Sequence, residues 1–120
     1  MSGTRSTIPF SIHAAIETIS APALMAAPFV LGFGEAAAVV AFAIGAMLLG
    51  LALQAAGPMR TVPLSAHAGF DYGLALVAAI AGVGVGIGTG DWDAGIFLVG
   101  FGAFQVALTA STRFSVPAGA

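Results

Sequence analysis

Four stretches of this chain are almost free of charge, and that decides what it can fold into. They run over residues 11–33, 36–53, 65–88 and 94–109. At about 1.5 Å per residue, each spans on the order of 24–36 Å as a helix, against a hydrocarbon core of about 30 Å. The first and third are long enough to cross with tilt, and the second and fourth are shorter. A backbone in lipid must satisfy its own hydrogen bonds, so the reading is an all-α membrane protein of four transmembrane helices joined by tight turns. Composition agrees, since only 7% of the 120 residues are charged, where a soluble domain carries about 25%. A single membrane domain, residues 1–120, is expected.

The few charges orient the bundle. Arg5, Arg60 and Arg113 fall on one side of a four-span chain, and Glu35, Asp91 and Asp93 fall in turns on the other. Cytoplasmic loops favour arginine and lysine, which puts both termini in the cytoplasm. Three arginines without a lysine make no nucleic-acid surface. The absence of cysteine excludes disulfides, thiolate metal sites and dithiol redox chemistry. A cleavable signal peptide is the alternative for the first stretch, with Ala21, Pro22 and Ala23 as the cleavage site. Against it, His13 and Glu17 interrupt the apolar run, and the same segment recurs inside the chain.

That recurrence is the second constraint. "TIPFSIHAAIE" begins at Thr7 and "TVPLSAHAGFD" at Thr61, 54 positions later. The offset matches Pro9 with Pro63, Ser11 with Ser65, His13 with His67, Gly32 with Gly86 and Gly34 with Gly88, while Glu17 meets Asp71. A one-residue insertion near Trp92 then sets Phe42 on Phe97 and Gly45 on Gly100. The chain reads as two tandem helical hairpins, about 7–54 and 61–109. Two spans return a chain to its starting side, so the hairpins are parallel repeats about a pseudo-twofold along the membrane normal.

Residues 27–53 resemble the SPW-repeat family of small bacterial membrane proteins. The resemblance rests on Ala27-Pro28-Phe29 where Ser-Pro-Trp would stand, followed by Leu31-Gly32-Phe33. In the second repeat Ala81-Gly82-Val83 takes that place, and Trp92 and Gly100 fit the pattern better. The resemblance implies a multi-span protein of the bacterial inner membrane and carries over no catalytic residue.

Pro22 and Pro28 lie inside the first helix and are expected to kink it for packing. In "GVGVGIGTG", Gly82, Gly86 and Gly90 recur at four-residue spacing. No strand precedes the run and no lysine follows, which excludes a phosphate loop, and it lacks the flanking pore architecture of a potassium filter. Close helix packing, within the bundle or between subunits, is the expectation. Tyr72 and Trp92 should anchor opposite interfaces of the bilayer.

His13 with Glu17, and His67 with Asp71, are the chemically notable residues. Four positions apart, each pair shares one helix face. A local account is available, with the acid favoured by the helix dipole and Ser11 or Ser65 as the cap. Ionisable groups inside a span are costly, however, and face protein or water. The repeat would then bring all four residues into one polar cluster or proton relay at the cytoplasmic end. Three classes follow: a non-enzymatic scaffold or accessory subunit; a proton-coupled carrier using the pairs as relays; and a redox protein with haem or metal on His13 and His67. The first is preferred, with no enzyme activity, metal or other cofactor expected. Its partners are the lipid bilayer and a second copy or another membrane protein.

Overall fold

The computed structural model describes residues 7–56 and 62–115. A two-residue strand β1 (Ile8–Pro9) leads into α1 (Phe10–Leu31), α2 (Glu35–Ala56), α3 (Leu64–Thr89) and α4 (Trp92–Ala110), and the chain then forms β2 (Thr112–Arg113). All four helices are long and apolar enough to cross a membrane. Their outer faces carry bare hydrophobic side chains: Ile19, Val30, Ile87 and Ile96 are 75%, 79%, 73% and 68% exposed. This is a small multi-pass membrane protein.

Proline and glycine set the helix limits. Pro9 and Pro63 precede α1 and α3 in extended conformation, φ −63° and −59°, and neither end has a side-chain cap. Ser11 and Ser65, expected as caps, lie inside the helices instead. Pro is pre-set for a helix start and has no N–H to satisfy there. Both helices stop at a glycine in the left-handed region, Gly32 (φ 72°) and Gly90 (φ 77°), whose N–H groups donate to Pro28 and Gly86 carbonyls. That conformation strains any residue with a Cβ. Gly90, expected in the packing stripe, therefore ends α3, and nothing lies within 4 Å of where its Cβ would be. α1 runs continuously through Pro22 and Pro28.

Helix pairs α1–α2 and α3–α4 pack as two hairpins. The second is very close: a Cβ on Gly82 would lie 2.6 Å from the Gly95 carbonyl oxygen, and one on Gly95 would lie 2.7 Å from that of Gly82. Gly86 lies against the Trp92 indole, so that ring covers the hairpin's turn end. Gly102 faces the Ala75 carbonyl and Gly45 faces that of Ala21. Between the hairpins α2 meets α3, whereas α1 and α4 barely touch. They leave an apolar groove of about 420 Å³ lined by Leu24, Ala27, Phe97, Phe101 and Phe104 together with Ser20. The core is a central cluster of Leu24, Ala41, Ile44, Ala78 and Leu98, with Ala37, Val85 and Ala94 nearer the turns.

Each end of the bundle has its own tie. At one, β1 pairs in parallel with β2, Ile8 opposite Thr112 and Pro9 opposite Arg113, an addition to an otherwise helical fold. At the other, Asp91 caps α4 through Ala94 N and also accepts from Gly34 N at 2.8 Å. One carboxylate thus holds both hairpin turns. Glu35 and Asp93 share that end and Arg113 lies at the opposite one, whereas Arg5 and Arg60 fall outside the described residues. Tyr72 and Trp92 lie toward opposite ends of the bundle, 43% and 48% exposed.

Candidate functional site

The two His/acid pairs meet. His13, Glu17 and Asp71 are 0% exposed and His67 is 1% exposed, and their side chains close a ring in which imidazole and carboxylate alternate. Within each helix the four-residue spacing makes one edge: His13 Nε2 to Glu17 Oε2 at 3.1 Å, and His67 Nε2 to Asp71 Oδ2 at 3.2 Å. Across the hairpins the edges are shorter, His13 Nε2 to Asp71 Oδ2 at 2.8 Å and His67 Nε2 to Glu17 Oε1 at 3.0 Å. An Nε2 has one hydrogen to give, so each imidazole donates to the carboxylate of the other hairpin and lies beside its own.

Residues from the chain's far end complete the surroundings. Thr112 Oγ1 donates to the Leu108 carbonyl at 2.6 Å, which spends its only hydrogen. It therefore accepts from His13 Nδ1 at 2.8 Å, and this fixes the proton on that nitrogen. Gln105 Nε2 donates to Glu17 Oε2 at 3.0 Å. Phe10 and Phe114 roof the ring toward the bundle end. Phe10 stacks on His13 and stands edge-on to His67, with centroids 5.7 and 4.9 Å away, and Phe114 lies 5.2 Å from His13. β1 and β2, directly before Phe10 and just before Phe114, bring these two rings together.

Several of these partners could not be read from the repeat. Gln105 and Thr109 in α4 and Thr112 in β2 are buried polar residues. Their signal was present as polar side chains four and three residues apart near the end of the last apolar stretch. Three buried polar atoms of this region have no hydrogen-bond partner among the described residues: Asp71 Oδ1, Gln105 Oε1 and Thr109 Oγ1. In a low-dielectric interior such atoms are costly.

The arrangement can hold protons between bases and acids, link the two hairpins, or offer four convergent donor atoms to a cation. It does not suit a haem held between His13 and His67. Both Nε2 atoms lie within 3.2 Å of the same two buried carboxylates, which a porphyrin would have to displace.

No family model, curated protein or solved structure matches this chain.

Proposed function

We propose that the protein is a non-enzymatic scaffold or accessory subunit of the bacterial inner membrane, built from two tandem hairpins clamped together by the ring. One observation carries the reading: the shortest ring contacts join α1 to α3 and the Gln105–Glu17 bond joins α1 to α4, two helix pairs that otherwise make little contact. In lipid, apolar side chains gain nothing by leaving the tails for each other, so packing and interhelical hydrogen bonds hold helices together.

The burial pattern supports the tandem plan and favours one register for it. Ala37, Ala41, Leu48 and Ala52 are buried in α2, and Ala94, Leu98, Gln105 and Thr109, each 57 positions later, are buried in α4. Gly45 packs against Ala21 and Gly102 against Ala75, so the second helices match at an offset of 57 while the first helices match at 54. On that register the insertion between repeats would be three residues, and Gly45 would correspond to Gly102. This is also the two-span unit of the SPW-repeat proteins the sequence resembles, and the arginine placement supports cytoplasmic termini.

A proton-coupled carrier would need a polar route from the ring to the opposite face. Below the ring lie Leu24, Ala41, Ile44, Ala78 and Leu98, then Ala37, Val85 and Ala94. That apolar core favours the clamp. The test is a double-mutant cycle on Glu17→Gln and Asp71→Asn in the full chain, read by thermal unfolding in detergent, beside proton flux into vesicles. Non-additive losses without flux are expected. Flux abolished by Asp71→Asn would replace the scaffold with a carrier.

A further inference from the structure

We propose that the ring binds one divalent transition-metal ion of the zinc class, through His13 Nε2, His67 Nε2 and one carboxylate oxygen each from Glu17 and Asp71. This deepens the clamp reading and rests on it, since the ion would join the same two hairpins.

The donor set comes first. One atom from each of the four residues can be chosen so that all lie within 4.8 Å of one another. Two imidazole nitrogens and two carboxylate oxygens form a set zinc accepts, with bonds of about 2.0–2.2 Å and tetrahedral ligands roughly 3.4 Å apart. The two edges to Asp71 Oδ2, 2.8 and 3.2 Å, need to open by a few tenths of an ångström. The two to Glu17, 3.1 and 3.0 Å, end on Oε2 and Oε1, so the Glu17 carboxylate would turn to place one of them on the ion. Without thiolates, the set suits zinc better than softer ions.

The surroundings are those of a ligand shell. A metal-bound imidazole donates its other N–H to a fixed acceptor, which points its lone pair at the metal. His13 does this through Nδ1 to Thr112, itself tied to Leu108. Ligating carboxylates are in turn held by donors, as Gln105 holds Glu17. A second, independent observation is Asp71 Oδ1, wholly buried and without a hydrogen-bond partner among the described residues. A cation beside Asp71 would give that orphaned oxygen an attractive electrostatic partner.

Charge balance completes the case. Each Nε2 gives one hydrogen to a carboxylate of the ring. Removing these two protons leaves two nitrogen lone pairs facing two carboxylate oxygens, and a divalent cation restores the two positive charges lost. The exchange M²⁺ + H₂(ring) → M(ring) + 2H⁺ leaves the buried charge unchanged, the condition a low-dielectric interior imposes. Phe10 and Phe114 lie over the imidazoles, so the ion enters from the bundle end when these rings part.

The test uses tag-free, full-length protein stripped with chelator in detergent. The chain has two histidines, so any imidazole ligation comes from His13 or His67. Titration with Co²⁺ should saturate near one ion per chain, with the visible absorption of four-coordinate cobalt in nitrogen and oxygen ligands, displaced by Zn²⁺. About two protons per ion should appear in weakly buffered solution, and the ¹⁵N resonances of both imidazoles should shift. His67→Gln should lower affinity at least tenfold. Because these measurements succeed or fail on the wild-type chain, a misfolded variant cannot mask the answer. Stoichiometry below about one-tenth, or unmoved imidazole resonances, overturns the metal site. In that event a coupled Glu17/Asp71 cycle leaves the ring as a proton-bonded clamp. Metal binding with simple additivity would instead remove the clamp and keep the site.

Discussion

Gln105 reaches from α4 to Glu17 in α1, donating at 3.0 Å from a position that is wholly buried. Leu48 is buried at the matching depth of α2, so this amide makes the two halves of the bundle unequal. Gln105→Leu should lower stability by about 1 kcal/mol, the usual net worth of a buried hydrogen bond. The loss should be non-additive with Glu17→Gln in thermal unfolding. Equal losses in wild-type and Glu17→Gln backgrounds would show that the two side chains do not interact.

The glycines of α3 should separate into two groups. Gly82→Ala places a Cβ against a backbone oxygen that cannot swing aside, so a loss of about 1–3 kcal/mol is expected. Gly84 and Gly88 face open space, and alanine there should raise stability by up to about 1 kcal/mol through helix propensity. Melting temperatures in one detergent would rank the three variants. A neutral Gly82→Ala would mean that α3 and α4 are less closely packed.

Asp91 serves two turns with one carboxylate. Asp91→Ala removes the α4 cap and the acceptor for Gly34 N, at a cost of about 1–2 kcal/mol. Hydrogen exchange should rise first at Gly34 and Ala94, while the ring end stays protected. Uniform exchange across the bundle would show that the two ends are not independently tied.

Sidedness is open to direct measurement because the chain has no cysteine of its own. Single cysteines at Val62 and Ser115 should react only from the cytoplasmic face, and one at Asp93 only from the other. Labelling of Val62 and Asp93 from the same side would contradict four spans.

The sequence made the four apolar spans and the His/acid encounter legible for one physical reason. A four-residue spacing puts imidazole and carboxylate on one face, and recurrence at equal depth lets two such faces meet. The register of the second helix of each hairpin was harder to read. Gly45 and Gly100 coincide in identity, but the latter has open space around it, whereas Gly102 makes the close contact. In glycine- and alanine-rich helices, chance identities outnumber informative ones. The Phe10–Phe114 roof was also out of reach, since it depends on a ladder of two residues on each side.

That short ladder has a consequence for how the chain is strung. Ile8 N and Ser111 O are 2.9 Å apart, so the first helix begins where the last one ends, on one side of the membrane. Closely placed ends are the condition under which circular permutation succeeds. A chain opened between Ala56 and Val62, with Thr7 and Ser115 joined by a short linker, would present the hairpins in reverse order and close the same ring. The order of translation is then separable from the architecture.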